Sequence, residues 1–212
     1  MEHKEISRAV LKRLPGYLAY LKSLPDTGSP YISATALANA LGMGEVQVRK
    51  DLAMVSDGGR PKIGYLRESL IDDIEQFLGY DNTTDAVLIG AGKLGQALCG
   101  YSGFEAYGLN ILAAFDIKPA QTETEEGTPI YSMDQLQSFC RSNKVLMGII
   151  TVPAEHAQTV CDQLIDCGIK AIWTFAPTHL EVPPNILVQH ENMATSLAVL
   201  SMHLQAQIKE KK

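Results

Sequence analysis

The sequence predicts an α/β protein in two parts, a helical N-terminal part and a C-terminal part built on a parallel sheet. From residue 86 onward, strand-like apolar runs alternate with helical stretches, which is the pattern of βαβ units. Charge also divides unevenly. Residues 1–67 hold 10 Lys and Arg against 6 Asp and Glu, a net of +4, whereas the rest of the chain holds 8 against 18, a net of −10. A basic module is therefore followed by an acidic one.

Composition places the chain among globular proteins. Of its 212 residues, 46% are hydrophobic and 20% are charged, and no stretch approaches the roughly 18 apolar residues of a membrane span. The charged N-terminus lacks an apolar secretory core, so we expect a cytoplasmic location and no membrane partner. The four cysteines form no CxxC pair and have no histidine at metal-ligand spacing, so we expect reduced thiols and no metal site.

Three helices are predicted at the start of the chain. The first covers residues 5–24, and the second begins after Ser33, a residue type favoured at helix N-caps. The third follows Gly44 and carries the sequence EVQVRKDLAMV. Residues 41–44 between the last two helices form a short Gly-containing turn, as a helix-turn-helix requires.

A further segment extends this predicted motif. Residues 56–65 (SDGGRPKIGY) are rich in Gly and Pro and carry two basic side chains, which is typical of a hairpin or wing. Another helix is predicted over about 67–79, and the polar residues 81–85 are the expected domain boundary. We therefore predict a winged helix-turn-helix domain in residues 1–80.

The front of the third helix carries side chains that suit DNA recognition. In the major groove Arg contacts guanine and Gln contacts adenine, while Lys commonly holds phosphate. Val46, Val48 and Leu52 are expected to supply packing. An ordinary solvated helix face is the alternative, but the surrounding helices, the wing and the local positive charge favour double-stranded DNA. The predicted DNA-binding residues are Ser33, Gln47, Arg49, Lys50, Arg60 and Lys62.

The C-terminal part is predicted to contain four strands and a terminal helix. A helix between the last two strands ends at Gly168. Residues 192–209 carry apolar residues on one helical face, which would pack on their own domain or on a partner subunit. The predicted domains are residues 85–191 and a dimerisation helix in 192–212. The strands are expected at residues 86–90, 110–116, 145–152 and 170–175, and the apolar face of the last helix at Met193, Leu197, Leu200, Leu204 and Ile208.

A Gly-rich turn follows the first of these strands. Gly90, Gly92 and Gly95 have the GxGxxG spacing that allows a tight turn, close approach to a pyrophosphate and close helix–strand packing. Asp116 ends the second strand, where a carboxylate can accept hydrogen bonds from the ribose of NAD and would repel a 2′-phosphate. Lys93 and Lys118 keep NADP as an alternative. We therefore predict a Rossmann-like NAD domain.

Catalytic residues are not evident. A dehydrogenase needs a group that moves a proton alongside the hydride. No tyrosine has a lysine four residues later, and the five histidines are scattered and are interpreted as surface or packing residues. We therefore expect a protein that measures the nucleotide, and an NAD-dependent oxidoreductase is the alternative hypothesis.

In these motifs the chain resembles the Rex family of redox-sensing transcriptional repressors. The resemblance implies a homodimer with an N-terminal winged helix, a C-terminal Rossmann domain and a last helix swapped onto the partner. It also implies repression when NAD⁺ dominates and release from operator DNA when NADH binds. The motifs that carry it, in order, are RLPGY (13–17), QVRKDL (47–52), GY (64–65), GAGKLGQAL (90–98), YSGF (101–104), AAFD (113–116), TVPAEHAQ (151–158), GIKAI (168–172) and FAP (175–177).

The resemblance also implies which residues hold the cofactor. An apolar nicotinamide pocket would favour NADH, because it lacks the ring charge of NAD⁺ and burying an unpaired charge is costly. The partner's tail helix would close this pocket near Met193. The predicted cofactor-binding residues are Gly90, Ala91, Gly92, Lys93, Leu94, Gly95, Asp116, Ile117, Lys118, Thr151, Val152, Pro153, Phe175, Ala176 and Pro177.

Two positions depart from the family pattern. The family commonly has an Arg where this chain has Ala19 and an Asp where it has Asn192. Those two charged groups, with a Tyr that matches Tyr101, belong to an interdomain linkage that changes partners on switching. Arg13 on the first helix is placed in the same set. Because both ends of the ion pair are neutral here, we expect this chain to have a weaker redox response or to transmit it by another route.

A CoA-binding module is a third hypothesis. The stretch from ITVPAEHAQ to DCGIKAI also resembles the nucleotide domains of CoA ligases. Asp116 and the basic N-terminal module favour the redox sensor over this alternative.

Overall fold

The structure is a computed structural model that describes residues 7–26, 28–80 and 84–210. The chain folds as two compact units, Met1–Asn82 and Thr83–Lys212. The predicted boundary lies partly outside the described residues, since 81–83 are not among them. The separation of residues 192–212 as a third segment stays a prediction.

The first unit contains four helices and a short two-stranded sheet among its described residues. The two strands pair antiparallel, with Tyr31 opposite Leu66. The Ser33 hydroxyl accepts a hydrogen bond from the Ala36 N–H at 3.0 Å, so Ser33 is the N-cap of the second helix, as predicted. The elements are α1 (Arg8–Ser23), β1 (Tyr31–Ile32), α2 (Ala34–Ala40), α3 (Glu45–Val55), β2 (Tyr65–Leu66) and α4 (Arg67–Leu78).

One apolar core joins these helices. The prediction that Val46 supplies packing is wrong, because its side chain is 67% exposed, whereas Val48 and Leu52 are fully buried. Val48 and Leu52 are four residues apart and therefore lie on the same face of the helix, whereas Val46 lies on a different face. Pro15 lies inside α1. The core residues with no exposed surface include Leu14, Tyr17, Leu21, Leu37, Val48, Leu52, Leu70 and Ile74.

A buried carboxylate ties α3 to α1. Asp51 is 1% exposed and accepts hydrogen bonds from the Arg13 guanidinium at 2.7 and 2.9 Å and from the Tyr17 hydroxyl at 2.7 Å. The Gln47 amide donates to the same carboxylate at 2.8 Å. Burial acts to raise the pKa of Asp51, but these hydrogen bonds outweigh it, so the pKa lies below its ordinary value. The helix that carries the predicted DNA-reading residues is thus fixed through a fully bonded charge.

The second unit is a parallel sheet flanked by helices. The strand order in the described residues is β5-β4-β3-β6-β7-β8, which is the doubly wound order of dinucleotide-binding domains. The elements are β3 (Thr84–Ile89), α5 (Lys93–Cys99), β4 (Leu109–Asp116), β5 (Ile130–Ser132), α6 (Leu136–Asn143), β6 (Met147–Ile150), α7 (Ala154–Asp166), β7 (Ala171–Thr174), β8 (Leu187–His190) and α8 (Met193–Glu210). Four of these six strands, β3, β4, β6 and β7, match strands predicted from the sequence.

Both edge strands of the sheet were missed. β5 has only three residues, and β8 has a largely exposed apolar residue, Leu187, so neither shows the apolar run of a buried parallel strand. The four central strands do show such runs. Val87, Ile89 and Phe115 lie in the core on one side of the sheet, and Leu88 and Ala114 lie in the core on the other.

The last helix exposes its apolar side chains. Leu197, Leu200 and Leu204 on α8 are each more than half exposed, so within this chain they are not packed against a core. The Asn192 side-chain oxygen accepts a hydrogen bond from the Thr195 N–H at 3.1 Å and so caps the start of this helix. Among the described helices, none is both long enough and apolar enough to cross a membrane.

We predict that Asp51→Ala lowers the free energy of unfolding of the first unit by about 3 kcal/mol, because the Arg13 charge loses its partner. Urea unfolding followed by far-UV circular dichroism measures this change. The fluorescence of Trp173, the only tryptophan of the chain, follows the second unit alone. Asp57→Ala is the matched control, since Asp57 is exposed, and it should change stability by no more than about 0.5 kcal/mol.

The same carboxylate predicts a pH dependence. Because the pKa of Asp51 is lowered on folding, its stabilising contribution is present above the unfolded pKa and is lost as the pH falls through the folded value. The wild-type first unit should therefore lose stability below about pH 4, and Asp51→Ala should lose less over that range. Equal acid sensitivity of the two proteins would contradict the role given to this residue.

Candidate nucleotide site and nucleic-acid surface

A cavity lies where the direction of strand succession reverses. β3 and β6 are neighbours in the sheet. The strands that follow β3 are added towards one edge of the sheet, and those that follow β6 towards the other edge. Doubly wound sheets bind their ligands at this point between the two strands. The cavity has a volume of about 390 Å³, within the range of small-molecule sites. It is lined by Ile89, Gly90, Gly92, Asp116, Ile117, Met133, Thr151, Val152, Pro153, His156, Thr159, Val160 and Gln163.

The Gly-rich turn has the shape that the sequence predicts. Gly90 has a φ of +105°, and a Cβ there would lie 3.0 Å from the Thr151 hydroxyl oxygen. A Cβ on Gly95 would overlap the Gly90 carbonyl oxygen, so α5 approaches the end of β3 as closely as a residue without a side chain allows. A Cβ on Gly92 would meet no atom within 4 Å, so the turn is open at that point.

Asp116 is held at the mouth of this turn. One of its carboxylate oxygens accepts a hydrogen bond from the Ala91 N–H at 2.9 Å, and the other accepts from the Lys118 N–H at 3.0 Å. A carboxylate offers about four acceptor positions. Two of them therefore stay available to hydroxyl donors in the cavity.

Thr151 joins the other side of the cavity to the turn. Its hydroxyl lies 2.8 Å from the Gly90 carbonyl oxygen and 3.0 Å from that of Ile89, and its N–H donates to the Ile89 carbonyl at 2.9 Å. The segment that follows β6 is thus fastened to the segment that follows β3. Val152 and Pro153 then form an apolar wall of the cavity.

The structure gathers about half of the predicted cofactor residues around this cavity. Ala91, Lys93, Leu94 and Gly95 belong to the same turn and helix start but do not line it, and neither does Lys118. Phe175, Ala176 and Pro177 follow β7, and they also do not line it: the Phe175 ring packs against Trp173 at 4.8 Å, and Ala176 is buried. The predicted residues that do line it are Gly90, Gly92, Asp116, Ile117, Thr151, Val152 and Pro153.

Sequence reasoning missed the contribution of α7. His156, interpreted from the sequence as a surface or packing residue, lines the cavity together with Thr159 and Gln163. These positions are three and four residues apart, so one helix face carries them. Met133 directly follows strand β5, which was not predicted because it has only three residues and no apolar run. Met133 was therefore not predicted either. The helical spacing after Pro153 was the available signal.

A second groove lies in the first unit. It has a volume of about 500 Å³ and combines the start of α2, one side chain of α3 and the wing. Four predicted DNA-binding residues line it, three of them basic, whereas Gln47 and Lys50 do not line it. The lining residues are Ser33, Ala34, Thr35, Arg49, Gly59, Arg60, Pro61, Lys62, Gly64 and Tyr65.

The wing is a tight hairpin. Arg60 and Gly64 form an antiparallel bridge with backbone hydrogen bonds of 2.8 and 2.9 Å. Lys62 at its tip has a φ of +66°, a left-handed conformation that few non-glycine residues adopt. The conformation of the turn thus sets the positions from which both basic side chains extend.

Two side chains of the predicted recognition helix have partners within their own helix. Arg49 forms an ion pair with Glu45 one turn earlier, and Gln47 donates to Asp51. Lys50 is exposed. A base or phosphate that binds Arg49 must therefore compete with the Glu45 carboxylate.

The predicted switch residues lie in both units. In the first unit, Arg13 is bound to Asp51, a contact that the sequence did not suggest, and Ala19 is exposed on α1. In the second, Tyr101 is 54% exposed and its ring packs edge-to-face on Phe104 at 4.8 Å. Asn192 caps α8.

The cysteines have the properties of structural thiols. Burial raises the pKa of Cys140 to about 12 and the pKa values of Cys99 and Cys161 to about 11, so these thiols stay protonated at neutral pH. Over the described ranges, no three His, Cys, Asp or Glu side chains come together in a group that could hold a metal ion.

Both units are similar to known proteins. A family model described as "Putative DNA-binding protein N-terminus" matches residues 5–53, and one described as "CoA binding domain" matches residues 81–178. Among solved structures, the RSP repressor in complex with β-NAD⁺ and operator DNA has a TM-score of 0.88 at 33% identity, covering 98% of this chain and 96% of that one. RSP in complex with β-NADH has a TM-score of 0.85 at 33% identity, covering 99% and 100%.

Curated relatives cover nearly the whole length as well. The redox-sensing transcriptional repressor Rex of Bacteroides fragilis is 38% identical over 204 residues, which is 94% of this chain and 93% of the relative. Rex of Treponema denticola is 39% identical over 193 residues, 91% of this chain and 92% of the relative. These nearly full-length matches, the doubly wound sheet with its Gly-rich turn and the basic helix-turn-helix groove agree: the chain belongs to the Rex family of redox-sensing transcriptional repressors.

Proposed function

We propose that this chain is a transcriptional repressor that measures the ratio of NADH to NAD⁺. It binds operator DNA when NAD⁺ dominates and leaves the DNA when NADH binds. The observation that carries this proposal is the presence, in one chain, of a switch-point cavity with a ribose-binding carboxylate and a basic helix-turn-helix groove. RSP, which matches over nearly its full length, is bound in its crystals to NAD⁺ with operator DNA and to NADH.

The residues of the cavity suit a dinucleotide. The two free acceptor positions of Asp116 would receive the ribose hydroxyls, and the same charge would repel the 2′-phosphate of NADP. The open turn at Gly92 leaves room for the pyrophosphate, and His156 and Thr159 add polar groups to the lining of the cavity. NAD and NADH are therefore the cofactors we assign, and the Lys93 and Lys118 side chains do not line the cavity.

Discrimination between the two redox forms follows from charge. The cofactor supplies a nicotinamide ring that is cationic in NAD⁺ and neutral in NADH. An apolar wall formed by Val152 and Pro153 would favour the neutral ring, because this wall offers no carboxylate to pair with the cation. Sensing requires only that NADH and NAD⁺ favour different conformations of the protein, because each has a different affinity for the two conformations.

Operator binding is assigned to the groove of the first unit. Arg49 would read a guanine, and Lys50 and the wing residues Arg60 and Lys62 would hold phosphates or a neighbouring groove. The Ser33 hydroxyl oxygen accepts a hydrogen bond from the Ala36 N–H at the start of α2. Its O–H proton remains available to donate to a phosphate. Gln47, oriented by Asp51, would present its remaining polar atoms to a base edge.

The exposed apolar face of α8 supports a homodimer. Leu197, Leu200 and Leu204 need a cover, and a second copy of the chain supplies one when the helices are exchanged. A dimer presents two recognition helices to two half-sites, so a change in their separation weakens binding. Exchange of this helix and the assignment of residues 192–212 as a dimerisation segment remain part of the proposal.

A regulatory role, rather than a catalytic one, agrees with the relatives, which are repressors. The description of the family model that matches residues 81–178 names coenzyme A, but that model covers only the sheet unit. The matches to redox sensors include the DNA-binding unit too. Because a repressor acts on DNA, we place the chain in the cytoplasm with its operator.

Asp116→Ala should weaken NADH binding by about 10- to 100-fold, the loss expected for hydrogen bonds to a charged acceptor. NADPH binding should weaken less or improve, because the repulsion of the 2′-phosphate is removed. Titration of the intrinsic fluorescence of each reduced nucleotide measures both affinities, and Asp166→Ala, at the far end of α7, is the control. Equal losses for NADH and NADPH would mean that Asp116 only shapes the turn.

Arg49→Ala should lower operator affinity by about 5- to 150-fold per recognition site, the range for a side chain that contacts guanine with two hydrogen bonds. Glu45→Ala should act in the opposite direction, because it releases Arg49 and removes a negative charge near the phosphates. Gel-shift titration on DNA from the chain's own promoter region tests both variants, with the exposed Arg141→Ala as control. Unchanged binding by Arg49→Ala would remove this residue from the interface.

A further inference from the structure

Four aromatic side chains form a continuous row in the second unit. The Tyr101 and Phe104 rings lie 4.8 Å apart, Phe104 and Trp173 5.5 Å apart, and Trp173 and Phe175 4.8 Å apart. The first two pairs are edge-to-face, the geometry that aromatic quadrupoles prefer. We call these residues the aromatic row. It begins at the exposed Tyr101 and ends at Phe175, whose N–H donates to the Ile150 carbonyl at 2.9 Å, one residue before the cavity-lining Thr151.

The third ring of the row is hydrogen-bonded to the residues that lead into the last helix. The Trp173 indole N–H donates to the Glu191 carboxylate at 3.2 Å, and the Gln189 amide donates to the same oxygen at 3.3 Å. An indole has one donor and no acceptor, so this single bond fixes where its N–H points. The Glu191 N–H in turn donates to the Thr174 carbonyl at 2.8 Å, which ties the end of β8 to β7.

Glu191 stands next to the cap of α8. Asn192 caps the helix through the Thr195 N–H, and its side chain is neutral. The carboxylate at the start of α8 is therefore that of Glu191, and it is hydrogen-bonded to Trp173 of the aromatic row. No charged linkage through position 192 is available to this chain.

We propose that Trp173 and Glu191 are positioning residues that couple the redox form of the bound cofactor to the last helix. The proposal rests on the proposed function. A nicotinamide ring seated against Val152 and Pro153 shifts the end of β6, and Phe175 moves with it, because the Phe175 N–H donates to the Ile150 carbonyl at 2.9 Å. The row responds as a unit, because packed side chains change between discrete arrangements rather than deforming continuously. The hydrogen bond from the Trp173 indole N–H to the Glu191 carboxylate is then broken or kept, according to the arrangement of the row. The start of α8 moves with Glu191, which precedes its capping residue Asn192.

Variants of the two residues separate the hydrogen bond from the packing. Trp173→Phe keeps an aromatic ring but has no N–H, and Glu191→Leu removes the acceptor with little change in size. Glu191→Gln keeps an acceptor oxygen and is the conservative variant. Each is tested as the full-length chain, for the NADH concentration that releases half of the bound operator DNA and for direct NADH affinity by fluorescence.

We expect Trp173→Phe and Glu191→Leu to raise the NADH concentration for half-release by at least about tenfold, a typical allosteric coupling. Their direct NADH affinity and their operator affinity without nucleotide should stay within about threefold of wild type, since energetic coupling between residues that do not touch the ligand acts on the transition between states. Glu191→Gln should respond like wild type. The double variant should be no worse than either single one, because both remove the same bond.

A spectroscopic measurement reports the link directly. Trp173 is the only tryptophan, so protein labelled with 5-fluorotryptophan gives one ¹⁹F resonance. NADH should move this resonance further than NAD⁺ does in wild type, and in Glu191→Leu the resonance should be shifted before nucleotide is added. Energy transfer to NADH does not affect this readout.

The two proposals fail differently. If wild type is not released by NADH, the proposed function is wrong. If wild type is released and Glu191→Leu and Trp173→Phe are released at the same NADH concentration, only the link is wrong. Equal ¹⁹F shifts with NAD⁺ and NADH would also overturn the link.

Discussion

The close approach of α5 to the end of β3 is the constraint on which the nucleotide site depends. A side chain at Gly95 would overlap the Gly90 carbonyl oxygen, and Gly90 itself is left-handed. Three segments are then bonded to this turn: Asp116 through the Ala91 N–H, Thr151 through the Gly90 and Ile89 carbonyls, and α5 by direct packing. Three parts of the chain separated by about 25 to 60 positions thereby form one cavity.

Both binding surfaces are already hydrogen-bonded in the free protein. Arg49 is paired with Glu45, Gln47 with Asp51, and each oxygen of Asp116 has one donor. At Asp116 the remaining acceptor capacity allows a ligand to add bonds, whereas at Arg49 a ligand must replace an ion pair. An exposed ion pair of this kind is weak, so a guanine or a phosphate can displace Glu45 at low cost.

Local patterns predicted the parts of the structure that are local in cause. The Ser33 cap, the Gly-rich turn and the central strands follow from spacing along the chain, and the structure has them. Contacts between distant residues were not predictable in this way. Arg13 and Asp51 are 38 positions apart, and short edge strands such as β5 depend on their neighbours for pairing. His156 was missed because its role appears only when α7 packs beside the cavity.

The central claim is that the ratio of the two redox forms, rather than total nucleotide, controls operator binding. The direct measurement is fluorescence anisotropy of labelled operator DNA with the wild-type chain at constant total NAD(H), while the ratio of NADH to NAD⁺ is varied. Bound DNA should fall as the ratio rises, even while NAD⁺ remains in excess. Bound DNA that stays constant across all ratios would contradict it.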